Sequence, residues 1–92
     1  MSNDKNAIIA LLSAGIWSNR DQIKALQSSL HNEGFTNNSE RYPNPDGVAG
    51  RLTRSDVIDF IEQNPEALLS LSEDTLNFFY AQWVWRQTRR NR

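Results

Sequence analysis

Few residues in this chain suggest chemistry, and the candidate acids sit in one polar stretch between Phe35 and Leu52. Glu40 and Asp46 lie there, and a pair of carboxylates is what glycoside hydrolysis requires. No apolar neighbour in the sequence would bury or poise either acid, so both read as solvated loop carboxylates. Asn44, Asp46 and Gly47 share the start of a calcium-loop pattern, but Thr53 stands where the bidentate acid should close it. A metal-free turn is the better description. His31 is the single histidine and cysteine is absent, which removes thiolate zinc sites, disulfides, cysteine nucleophiles and multi-histidine metal sites together. With no glycine-rich phosphate cradle either, the chain offers no catalytic set, and neither an enzyme nor a cofactor-binding protein is expected.

Other side chains are suited to binding. Trp17 falls at a turn between two helices, where it either plugs a small core or stacks on a sugar. His31 falls at a helix end that favours partial positive charge. Arg86, Arg89, Arg90 and Arg92 crowd the C-terminal end, where they complement a helix dipole or meet phosphates or an acidic surface. Nucleic acid is not the expected partner, because the formal net charge is -1 and basic residues are not interleaved elsewhere.

Helices must position these groups. A first helix is expected over roughly 4–14, with Ala7, Ile8, Leu11 and Leu12 on its apolar face and Gly15 ending it. The second begins after Ser18 or Asn19, with Ser18 and Asp21 in a capping-box relation. It carries Ile23, Leu26 and Leu30 at helical spacing, and Gly34 stops it. A loop over 35–52 follows, rich in Asn, Pro and Gly. Thr53 is expected to cap the third helix, with Asp56 in its first turn, Leu52 stapled onto Val57, and Val57, Phe60 and Ile61 facing the core. Asn64-Pro65 closes it and opens a short turn through Leu69. The last helix starts near Ser70 or Ser72, with Glu73 and Asp74 at its positive end. Leu76, Phe79, Tyr80 and Trp83 form one stripe of it, and Phe78 and Trp85 a second.

Ninety-two residues, 38% hydrophobic and 23% charged, fit one folded domain spanning 1–92. No run approaches the roughly 20 apolar residues of a membrane span. Met1-Ser2-Asn3-Asp4-Lys5 lacks the basic start of a signal peptide, so a chain made without an export signal is expected and its location is left open.

Two stretches together resemble the peptidoglycan-binding domain family. Ile23-x-x-Leu26-Gln27-x-x-Leu30-x-x-x-Gly34-Phe35 is similar to that family's aliphatic-x-x-Leu-Gln-x-x-Leu-x-x-x-Gly-aromatic helix. Asp46-Gly47-Val48-Ala49-Gly50-Arg51-Leu52-Thr53, followed by Val57 and Phe60, is similar to its Asp-Gly-x-x-Gly-x-x-Thr turn and helix. The likeness covers 23–61. Leu26, Leu30, Val57 and Phe60 would pack two helices together, Gln27 would tie a loop through its side-chain amide, and Gly47 and Gly50 would adopt angles that a Cβ resists. The chain departs from the family pattern at Asp56, at Ile61 and in a longer loop between Phe35 and Asp46.

The resemblance implies an all-α fold: a small bundle of three core helices with an added C-terminal helix over 70–92. It also implies a non-catalytic module that targets a lytic enzyme or effector to cell wall. On that reading Tyr42 stacks on a sugar while Asn44, Asp46 and Arg51 hydrogen-bond to glycan or stem peptide. A second reading stays open. The aromatic surplus of the last helix, Phe78, Trp83 and Trp85 with Arg86 and Arg89, suits docking to a protein or to a second copy of the chain, as in an intracellular adaptor, an inhibitor, or a small phage or secretion-system component.

Overall fold

Isoleucine and leucine at four-residue spacing decide the first element. In α1 (Ser2–Leu12), Ile8 and Leu12 are completely buried while Ala7 and Leu11 flank them. The helix stops two residues earlier than its apolar pattern suggests: Ala14 N–H bonds back only to the Leu11 carbonyl, and Gly15 does not adopt positive φ. The computed structural model describes residues 2–37 and 46–90.

Asn19, not Ser18, caps α2 (Arg20–Asn32), its Oδ1 accepting from Gln22 N–H at 3.1 Å. A carboxamide in extended backbone satisfies an otherwise orphaned N–H at that point. The other end is closed by Gly34 at φ +93°, with Gly34 N–H bonded to the His31 carbonyl and Phe35 N–H to the Leu30 carbonyl. This pair of backward bonds needs the left-handed residue that glycine supplies, and it folds Phe35 back over Leu30. Phe35 then meets Phe60 edge-to-face at 5.7 Å.

Helix α3 (Arg51–Gln63) begins one turn before the position that Thr53 would cap. Its N-cap is Gly50, whose φ of -85° is open to any residue, so Thr53 lies inside the helix and is buried. Asp56 is correspondingly no first-turn acid; it is buried in the second turn. Val57, Ile58, Phe60 and Ile61 form the apolar side of α3 and join Ile8, Leu12, Ile16, Leu26 and Leu30 in one core. Asn64-Pro65 ends α3, and a 3-10 helix (Pro65–Ser70) buries Ala67 while leaving Leu69 in solvent.

Ser72 caps α4 (Glu73–Arg90), its Oγ accepting from Thr75 N–H at 3.1 Å. The first half of α4 passes the α1–α2 turn. Its second half runs beside α3 in the same direction, because Gln82 reaches Ser55 and Arg86 reaches Asp59. The described residues thus form an all-α bundle to which a C-terminal helix is added. Among them, no helix is long and apolar enough to cross a membrane.

Candidate functional site

The residues of the Asp-Gly turn meet around one side chain. Gln27 is only 5% exposed and reaches from α2 into the turn preceding α3. Its Nε2 donates towards Asp46 Oδ1 (2.9 Å), Thr53 Oγ1 (3.0 Å) and the Val48 carbonyl (3.1 Å). Its Oε1 accepts from the N–H groups of Gly47 (2.9 Å) and Asp46 (3.1 Å). A carboxamide is the one short side chain that offers donors and an acceptor from the same planar group, so it can match a strand-like backbone edge. Gly47 holds φ +74°, and a Cβ there would stand 2.9 Å from the Arg20 carbonyl oxygen and collide with the Arg20 side chain. Only glycine lets the turn close onto α2. Gly50 makes no such demand.

Asp46 therefore faces inward. Its Oδ1 also accepts from Val48 N–H at 2.9 Å. That backbone bond holds the carboxyl below its ordinary value of 3.8; burial opposes the shift, and the Gln27 amide, its own N–H and the Arg20 charge add to it. Oδ1 of Asp46 is thus engaged within the turn. Tyr42, Asn44 and Glu40 lie outside the described residues. Arg51 is on the surface at the first position of α3, close to exposed Val48.

A second anchor stands on the other side of that segment. Asn37 donates to Asp56 Oδ1 through its backbone N–H (3.0 Å) and its Nδ2 (2.8 Å), and to Asp59 Oδ2 (3.0 Å). Asp56 is buried with two N–H donors satisfying its Oδ1. The chain on both sides of 38–45 is pinned to the α2–α3 pair, by Gln27 at one end and Asp56 at the other.

The docking residues expected on α4 divide into two groups. Phe78 is partly covered at the bundle's edge: its ring stacks on Trp17 at 4.3 Å and 5°, and the Arg54 guanidinium lies 4.8 Å from its centroid. Trp17 donates its Nε1–H to Thr75 Oγ1 at 3.0 Å, which fixes the indole as part of the core edge. Trp83 is half-buried against Phe79. Arg86 is spent on an internal ion pair, 2.6 Å from Asp59 Oδ1 and 3.7 Å from Glu62. All three are partly buried.

Trp85 and Arg89 do face outward. The Arg89 guanidinium lies 4.9 Å from the Trp85 ring, which is 59% exposed. Tyr80, expected in one stripe with Leu76, Phe79 and Trp83, is 55% exposed, and Val84 is 42% exposed. A four-residue core spacing that selects Phe79 and Trp83 necessarily swings Tyr80 and Val84 about 100° round the helix. Where α4 passes the start of α3, Arg51, Ala81, Gln82 and Trp85 line an open depression of about 380 Å³. A second depression, of about 470 Å³, is bordered by Trp17, Ser18, Asp74, Asn77 and Phe78.

Residue typing overlooked the polar stripe that docks α4. Ser55, Asp59 and Glu62 recur along one face of α3, and Gln82 and Arg86 recur at matching spacing on α4. Two complementary stripes at helical spacing are a readable signal. Among the described residues, no group of three His, Cys, Asp or Glu side chains is placed to hold a metal ion. The chain matches no family profile, no curated protein and no solved structure.

Proposed function

We propose that this protein is a non-catalytic recognition module of the peptidoglycan-binding kind, reading cell-wall glycan or stem peptide from the surface of the Asp46–Arg51 turn. The observation that carries the reading is the Gln27 knot. The residues of the resembling pattern converge there, with Gln27, Asp46, Gly47 and Thr53 in one hydrogen-bonded cluster between α2 and α3. A turn fixed this firmly presents its outer groups, Val48 and Arg51, in one orientation, which lowers the entropy lost on binding. Arg51 supplies a planar donor fork for a carboxylate or a sugar hydroxyl. Tyr42 and Asn44, in the adjoining segment, would complete the contact with a stacking ring and a carboxamide.

Co-sedimentation with insoluble peptidoglycan tests this. The wild type is retained, and Arg51→Ala and Tyr42→Ala each reduce retention at least about tenfold, the loss of one good contact. A wild type that stays in the supernatant removes the ligand assignment.

A second reading rests on a separate observation, the exposed aromatic side of α4. Tyr80, Val84 and Trp85 form an apolar surface that stays exposed, with the Arg89 guanidinium over the Trp85 ring. Aromatic residues held on a rigid helix are common anchors of protein docking. The same Trp85 borders the depression beside Arg51, so the two surfaces adjoin.

A further inference from the structure

We infer that the outward face of α4 is the contact between two copies of this chain, paired antiparallel. The inference rests on the second reading above and names its partner. Along α4 the exposed positions Asn77, Tyr80, Ala81, Val84, Trp85 and Thr88 fall on one side. They follow the three-and-four spacing by which helices pack on each other, and they lie opposite the Phe79–Trp83 face committed to the core. The stripe is central on the helix, with acids before it and bases after it.

Charge selects the occupant. Glu73 and Asp74 are exposed at one end of this face, and exposed Arg89 lies towards the other. With 18 residues α4 spans about 27 Å. Two copies laid antiparallel about a two-fold axis between Ala81 and Val84 bring the acidic end of each beside the basic end of the other. A parallel pair would oppose like charges at both ends, at a cost several-fold larger in affinity.

Shape agrees with charge. Ala81 and Val84 are small and stand at the centre of the stripe, with the larger Tyr80 and Trp85 to either side. Small residues at the crossing point let two helices approach, and flanking aromatic rings then cover the seam. The depression edged by Arg51, Ala81, Gln82 and Trp85 gives a second copy's side chain a place to enter. A formal net charge of -1 sets little overall repulsion against the pairing. The pairing is isologous, so it closes at two copies and does not propagate.

Sedimentation equilibrium over a roughly thousandfold concentration range, in low salt, tests the assignment. The wild type shows a monomer–dimer equilibrium, and Val84→Asp weakens it by roughly tenfold or more, since it buries an unpaired charge. Glu73→Arg with Asp74→Arg weakens the dimer, Arg89→Glu weakens it, and all three changes in one chain restore it. All four positions are exposed, and unchanged far-UV circular dichroism confirms that each variant folds. A dimer indifferent to Val84→Asp, or not rescued by the combined reversal, overturns the antiparallel contact. Acrylamide quenching of Trp85, taken as the difference from Trp85→Phe, separates the remaining outcomes. A strict monomer with freely quenched Trp85 refutes the second copy and leaves α4 as an open docking face. A strict monomer with protected Trp85 refutes both.

Discussion

Gln27 and Asp46 show how few atoms set the geometry of the turn. Five hydrogen bonds radiate from the Gln27 amide, and two groups converge on Asp46 Oδ1. Because the folded state holds the Asp46 carboxyl below its ordinary value, ionised Asp46 favours folding. That contribution is complete above the unfolded value near 3.8 and fades as pH falls through the lower folded value. Urea unfolding of wild type and Asp46→Asn from pH 7 downward measures it. The stability difference between the two should be constant at neutral pH and should shrink once pH drops below about 3.8. A difference that grows on acidification would contradict the inward role of Asp46. Residue type alone pointed to Gly34 at positive φ, while Gly47 and the Gln27 tether were expected from the resemblance. Thr53 and Asp56 were misplaced because their partners, Gln27 and Asn37, come from distant segments. Local pattern saw a cap and a first-turn acid where the fold makes two buried acceptors.

Helix α4 joins the bundle through two different kinds of contact. Phe79 enters the core, while Gln82 and Arg86 make a polar seam with Ser55, Asp59 and Glu62 along α3. The ion pair is partly shielded, with side-chain exposures of 22% for Arg86 and 35% for Asp59. Such a pair contributes about 1 kcal/mol, less in high salt. Arg86→Met keeps most of the stem packing and removes the charge. It should lower the thermal midpoint by about 4–8 °C at low ionic strength and by visibly less at molar salt. An equal loss at both ionic strengths would assign the effect to packing. The helical stripes were plain from the spacing of α3 and α4, yet a helix with aromatic residues on more than one side does not declare which side is inner. Phe78 is partly covered because Trp17 and Arg54 receive its ring, and Tyr80 and Val84 are left outside.

Taken whole, the molecule couples its two ends. Ser72 N–H bonds to the Leu12 carbonyl, and Trp17 bonds to Thr75, so the α1–α2 turn and the start of α4 are fastened together. A bundle of this size has little stability to spare, of order 5–15 kcal/mol. Truncating Phe79, which is 1% exposed, to Ala should cost about 3–5 kcal/mol. Far-UV circular dichroism and tryptophan fluorescence should report one coincident urea transition in both proteins, at lower urea in the variant. Loss of helix signal ahead of the fluorescence change would instead mark α4 as a separately melting appendage.

The apolar sides of α2 and α3 and the glycine stop at Gly34 could be read from residue order, because each depends on neighbours within about one or two helical turns. Which aromatic rings of α4 enter the core, that Arg86 is consumed internally, and that Asp46 points inward were settled only when remote segments met. Burial and pairing are properties of three-dimensional neighbours, and no linear pattern contains both members of such a pair in advance.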